Sequence, residues 1–385
     1  MLNFEFHNPT RIVFGKDSVA SLDKHIPQDA RVLVLYGGQS AERNGTPAEV
    51  RKALGERIHQ EFGGIEPNPS FETLMKAVEL VRNERIDFLL AVGGGSVIDG
   101  TKFVAAAAHF EGDPWQILAS FGAAVQSALP LGVVLTLSAT GSEMNSGSVV
   151  TRKETHTKAF FNSPQVFPQF SILDPTKTYT LPARQLANGV VDAFVHVVEQ
   201  YLTFPVEARV QDRFAEGLMQ TLIEMGPKVV HEPADYDSRA NLMWAAAMAL
   251  NGLIAAGVPQ DWATHLVGHE LTALHGMDHA QTLAVLLPSM LRLRRGGKHA
   301  KLLQYAERVW HITEGAEEAR IELAIQKTQD FFESLGVSTR LSGYGIGAEA
   351  IDALVAALET HGMVGLGEHG DVTLELSRKV YEASL

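Results

Sequence analysis

The sequence predicts an α/β protein in which a parallel-sheet half comes first and an all-helical half follows. In the first half, short apolar runs at 31–36, 87–92 and 131–137 alternate with segments of helical spacing, and the first two end in glycine. Strand, glycine turn and helix in repetition give a parallel sheet covered by helices on both faces. From about Leu181 onward, helical patterns dominate to the end of the chain. At 385 residues the chain exceeds what one core usually organises, so two domains are expected, 1–180 and 181–385.

Taken in order, RVLVLY at 31–36 is a β-rich run closed by Gly37 and Gly38. Ser70 precedes FETLMKAVELVRNE, whose apolar spacing is helical and for which Ser70 is the expected N-cap. DFLLAV at 87–92 runs into Gly93, Gly94 and Gly95, and an Ala-rich helix follows over 97–110. LGVVLTL at 131–137 is another buried-type strand. Asp174-Pro175 and the TKTYT that follows end the sheet region. Helices are then expected over 206–225, 238–256, 301–309, 316–335 and 351–360, separated by segments such as GPKVVHEPADYD. The glycine-dense GYGIG at 343–347 is a loop, since no strand runs into it.

Composition narrows the function. A net charge of −13 argues against nucleic acid or an anionic membrane as the main partner, because both require a basic footprint. Cysteine is absent, which excludes a disulfide framework, a thiol nucleophile and any cysteine-held zinc. The first fifteen residues alternate apolar and polar positions and do not resemble a signal peptide. Apolar runs are too short or too interrupted to span a bilayer, so no membrane is expected and the cytoplasm is the simplest compartment.

Two stretches carry metal chemistry. NGVVDAFVHVVEQ at 188–200 sets Asp192 and His196 four residues apart. On a helix that is a turn of roughly 400°, which puts both side chains on one face. A surface ion pair has the same spacing. Here, however, Val190, Val191, Ala193, Phe194, Val195, Val197 and Val198 surround the pair, and an isolated buried carboxylate is costly where a metal-bound one is not. HLVGHELTALHGMDH at 265–279 adds His265, His269, His275 and His279. A carboxylate with several imidazoles suits a borderline divalent cation such as Fe(II) or Zn(II). The histidines exceed the needs of one ion, so one orients substrate or carries a proton and another is a plain surface residue, with His275 beside Gly276 assigned to the latter role.

Three stretches suit a nucleotide. GGGSVIDGTK at 93–102 follows an apolar strand and opens a helix, where glycines admit a phosphate and free backbone N–H groups receive it. It is not the GxGxxG of the usual dinucleotide fold. After the first strand, Gly38, Gln39 and Ser40 stand where an acidic residue would select an unphosphorylated ribose. That lack of an anion favours NADP over NAD, with Ser40 as phosphate donor. TLSATGS at 136–142 is a run of small hydroxylic residues leaving a strand.

Together these segments resemble a known family. ILDPTKTYTLPARQLANGVVDAFVHVVE at 172–199, GGGSVIDGTK and EPNPSFET at 66–73 are similar to motifs of the iron-dependent (group III) alcohol dehydrogenases. NFEFHNPTRIVFGK, FGGIEPNP, LTLSATGSE and GVPQDWATH narrow the likeness to bacterial NADPH-dependent aldehyde reductases within that family. The resemblance implies a dinucleotide-binding domain followed by an all-helical metal domain, the dehydroquinate synthase-like fold. It places Asp192, His196, His265 and His279 on the metal-ligand positions, with His269 near the metal as a proton relay. It places Gly38 and Ser40 at the NADP 2′-phosphate and Gly94, Gly95, Ser96, Asp99, Thr136, Thr140, Asn145 and Lys158 along the rest of the cofactor. Lys177 stands where a well-known member of that bacterial group carries tyrosine. The implied reaction is reversible hydride transfer between NADP(H) and a short-chain aldehyde or primary alcohol, in a homodimer.

Two other readings compete. An NAD-dependent polyol dehydrogenase of the same superfamily is disfavoured by the GGQS segment and by the third histidine. A metallohydrolase would leave GGGSVIDGTK and TLSATGS without a role.

Overall fold

The computed structural model describes residues 1–38, 45–232 and 234–385. The chain forms two compact units: His7–Leu181 with Ala234–Ala247, and Met1–Phe6 with Pro182–Pro233 and Met248–Leu385.

The first unit is built on six parallel strands. They are β1 (Arg11–Phe14), β2 (Val32–Tyr36), β3 (His59–Phe62), β4 (Phe88–Gly93), β5 (Leu131–Leu135) and, after a hairpin of β6 (Gly147–Arg152) and β7 (Thr157–Asn162), β8 (Phe170–Leu173). Their order is β1-β8-β5-β4-β2-β3. Registers such as Ala91 opposite Val133 and Leu35 opposite Ala91 set the C-terminal ends of β2, β4 and β5 side by side. β4 and β5 are buried on both faces, as their unbroken apolar sequences require. Helices α1 (Thr46–Leu54), α2 (Phe71–Glu84), α3 (Gly95–Ala107) and α4 (Trp115–Ala119) accompany the sheet. The Ser70 hydroxyl accepts from Thr73 N–H and caps α2, as its sequence position predicts. Met243 and Ala247, from the segment that returns to this unit, join Leu33, Leu89, Val104 and Val133 in its main core.

The second unit is helical. It starts with α5 (Ala183–Tyr201) and α6 (Arg209–His231), and it resumes at Met248, at the end of the Tyr236–Ala249 helix (α7). There follow α8 (Ala263–His275), α9 (His279–Arg294), α10 (His299–Arg308), α11 (Glu317–Ser334), α12 (Ile351–Thr360) and α13 (Leu374–Ala383). α6 differs from its expected end near residue 225, because it runs on through Pro227 to His231. Packing outweighs the lost amide there: Gly226 lies so close to α5 that a Cβ on it would stand 2.9 Å from Val190 Cγ1. The fifteen residues from His265 to His279 are likewise not one helix. Gly276, at φ 68°, ends α8, and α9 starts afresh at His279. Among the described residues, no helix is long and apolar enough to cross a membrane.

Candidate metal and nucleotide sites

In the helical unit, three helices bring donors together. α5 is buried nearly all round, and Asp192, His196 and Glu199 are each less than 5% exposed. Their spacing of four and then three residues puts them on one face. His265 lies on the first turn of α8, and His279 is the first residue of α9. One ligand atom from each of Asp192, His265 and His279 lies within 4.8 Å of the other two. Asp192 Oδ1 is 3.7 Å from His279 Nε2 and 3.8 Å from His196 Nε2. The rings of His196 and His265 are stacked at 4.7 Å between centroids. Burial pushes His196 down to about 4 although Asp192 pulls the other way, so its imidazole is neutral at pH 7 and able to donate a lone pair. His269 is half-buried, its ring 5.8 Å from that of His279, whereas His275 is exposed.

The starts of α8 and α9 are held in place by carboxylates. Asp261 Oδ1 accepts from Ala263 N–H at 2.9 Å, and Glu199 Oε1 accepts from Thr264 N–H at 2.6 Å. Glu199 Oε2 accepts from His265 N–H at 3.3 Å and is also bonded to His265 Nδ1. These carboxylates satisfy amides that a helix start leaves open, at its positive end. Asp261 Oδ2 in turn receives Arg294 Nη1 at 2.6 Å and Lys298 Nζ at 3.0 Å. At α9, Asn188 of α5 donates to the Asp278 carboxylate at 2.8 Å, and Gln281 accepts from Asp278 N–H at 3.2 Å. α5 therefore supplies donors and also pins the two helix starts that carry the others. Sequence reasoning missed Glu199. The available signal was a second acid at i+7 from Asp192 in a largely apolar stretch of helix.

In the sheet unit, β4 passes into α3 through Gly93, Gly94 and Gly95 with no side-chain cap, which leaves the first-turn amides of α3 to an anion. The glycines are sterically required. A Cβ on Gly95 would stand 2.4 Å from Thr140 Oγ1, and one on Gly94 would stand 2.9 Å from Leu137 Cβ. The strand order reverses direction between β2 and β4, the place where ligands settle on open parallel sheets. Thr136 continues from β5, and its N–H bonds to Gly93 O at 2.9 Å.

Around this turn Ser96, Asp99, Asn145 and Lys158 are each held by hydrogen bonds. Asp99 accepts from Ser142 Oγ at 2.5 Å and from Val149 N–H at 2.9 Å. Asn145 accepts from Lys102 Nζ at 2.9 Å and from Gly147 N–H at 3.0 Å, and it donates to Gly141 O. Lys158 Nζ donates to Asn68 Oδ1 at 3.0 Å, while Asn68 N–H donates to Ser96 Oγ at 3.3 Å. Gly38 lies just past β2, and Ser40 falls outside the described residues. Lys177 is buried against Glu49, 2.6 Å away, and Asp174. Sequence reasoning did not find the tie made by Asn68. Nor did it find the role of Lys102, fully buried, with Nζ bonded to Ser142, Asn145 and Gly147 O. A lysine inside VIDGTKFVAAAA was the available signal, since a buried ammonium needs partners.

Comparison with known proteins settles the family. Residues 9–175 match the iron-containing alcohol dehydrogenase model, and residues 186–368 match the C-terminal model of the Fe-containing alcohol dehydrogenase family. The chain belongs to the iron-containing alcohol dehydrogenases. Among its relatives within that family is the NADPH-dependent aldehyde reductase YqhD of Escherichia coli K12, 61% identical over 386 residues and all of both chains. The crystal structure of E. coli YqhD superposes with a TM-score of 0.99 at 60% identity, covering 100% of this chain and 99% of that one. A probable NADH-dependent butanol dehydrogenase of Bacillus subtilis is 41% identical over 95% of each chain. In this iron-containing alcohol dehydrogenase the cluster of Asp192, His265 and His279, with His196 beside it, has the carboxylate and imidazole donors that suit such an ion.

Proposed function

We propose that this chain is a metal-dependent, NADPH-linked aldehyde reductase and alcohol dehydrogenase acting on short-chain aldehydes and primary alcohols. The observation that carries it is the convergence of Asp192, His265 and His279 within 4.8 Å in a chain of this family. Asp192, His196, His265 and His279 hold one divalent cation, iron or zinc. Gly94, Gly95, Ser96, Asp99, Thr136, Thr140, Asn145 and Lys158, with Gly38 and Ser40, bind NADP(H). When bound, the cation supplies Lewis acidity to the substrate oxygen and the reduced nicotinamide supplies hydride.

The chain's own residues do the rest. Buried, neutral His196 donates without a proton to lose. The glycines of the β4–α3 turn admit phosphate to the α3 amides. Half-buried His269 exchanges the proton that the product alcohol gains. Apolar side chains of 251–262 suit short aliphatic substrates. The E. coli relative named for NADPH supports that cofactor, as does the lack of an acidic residue at 38–40. The sheet unit is residues 1–180 and the metal unit 181–385, apart from the exchanged segments. A homodimer fits, since β1 ends its sheet with one edge unpaired among the described strands, while Leu2, Phe4 and Phe6 are exposed. The cytoplasm, where reduced nicotinamide is at hand, is its compartment.

The test is oxidation of NADPH and of NADH over a panel of short aldehydes, in wild type and in Ser40→Asp. NADPH is expected to be preferred, and Ser40→Asp to shift the preference toward NADH. No aldehyde-dependent oxidation of either cofactor would reject the activity. An unchanged NADPH-to-NADH ratio in the variant would reject the specificity argument.

A further inference from the structure

We infer that Glu199 is the positioning residue of the cation site: it fixes the ring orientation of His265 and leaves Nε2 of that imidazole to face Asp192 and His279. The inference rests on the cation reading above. Glu199 is 3% exposed, and its two oxygens are taken up by Thr264 N–H, His265 N–H and His265 Nδ1. A carboxylate that merely capped α8 would need only the backbone bonds. The added bond to the ring of the same histidine goes beyond capping, and Asp261 already caps α8 through Ala263 N–H.

A neutral imidazole carries its proton on one nitrogen and its lone pair on the other. With Nδ1 donating to Glu199, the lone pair is at Nε2. Glu199 then holds His265 both at its backbone N–H and at its ring Nδ1. Asp192, His196 and Glu199 fall at i, i+4 and i+7 of one 19-residue helix. That one element therefore sets two donors and the orientation of a third. The opposite charge needed around these acids is also present. Arg294 and Lys298 are both nearly buried and neutralise Asp261, and they reach Glu368 at 3.1 and 2.7 Å. Neither cation is bonded to Glu199 among the described residues, so its carboxylate is directed to His265 and the α8 amides.

The test uses the full chain stripped of metal. Zn(II) affinity is measured by chelator competition for wild type, Glu199→Gln and Glu199→Asp, alongside thermal unfolding of each apo chain and an NADPH fluorescence titration. Glu199→Gln is expected to raise the Zn(II) Kd by about 10–100-fold, the usual effect of losing a carboxylate behind a ligating histidine. Glu199→Asp, one methylene shorter but keeping a carboxyl group, is expected to regain part of that loss, and NADPH binding is expected to match wild type throughout. An unchanged Zn(II) Kd in folded Glu199→Gln overturns the role. So do equal constants for the Gln and Asp variants, or NADPH binding weakened in the same proportion as Zn(II). A wild-type chain that binds neither Zn(II) nor Fe(II) would instead overturn the cation reading beneath it.

Discussion

His265 and His269 are one helical turn apart on α8, yet their surroundings assign them different work. His265 is buried, bonded to Glu199 and grouped with Asp192 and His279, whereas His269 is half-buried and faces only the edge of that group. Removing the first should therefore abolish metal retention and turnover, while His269→Ala should lower turnover and keep the metal. Metal content by elemental analysis, beside kcat, checks this, and equal metal loss in both variants would contradict it. A second residue reports through pH. Glu143 is buried, and burial pushes its carboxyl up to about 7 even though its own backbone N–H and the Lys102 ammonium pull down. Its folded form holds the proton longer than its unfolded form, so its contribution to stability is full below about 4.5 and falls as pH rises toward 7. Glu143→Gln should match wild type near pH 4.5 and gain on it above pH 7, by about 3 kcal/mol at most. Urea midpoints at the two pH values decide, and a difference that does not change with pH would refute it.

At the scale of elements, the β4–α3 turn is the part most tightly fixed by sequence. Gly95 sits under Thr140, so Gly95→Ala must move either the start of α3 or the 136–142 loop. Overpacking of this kind costs about 1–3 kcal/mol. NADPH affinity should fall with it, since the displaced amides are those offered to phosphate. Titration of NADPH fluorescence checks this, and wild-type affinity in the variant would remove the turn from the cofactor site. The strands RVLVLY, DFLLAV and LGVVLTL were legible because a strand buried on both faces is an uninterrupted apolar run. The end of α6 was not, because Pro227 reads locally as a stop. What carries the helix past it is contact with Val190, Phe331 and Leu335, distant in sequence.

At the scale of the molecule, the same contrast explains what the sequence revealed of the sites. Asp192 with His196, and His265 with His269, were visible because a four-residue spacing has a geometric meaning on a helix. The grouping of His279 with Asp192 was not deducible from spacing, since Gly276 breaks the helix between His265 and His279. Family resemblance supplied that grouping, and the structure brings Asp192 Oδ1 to 3.7 Å from His279 Nε2. Glu199 and Lys102 stayed hidden for a third reason. Their partners lie 66 and 40 to 45 positions away, and only folding tells a paired buried charge from a misplaced one. The central claim is that one divalent ion, held by Asp192 and the three histidines, is needed for NADPH-linked carbonyl reduction. It is tested most directly by stripping the purified chain of metal and titrating Fe(II) or Zn(II) back while following aldehyde-dependent NADPH oxidation. Activity should vanish in the stripped chain and return in proportion to bound metal, levelling off at one ion per chain. Undiminished turnover in metal-free protein would contradict it.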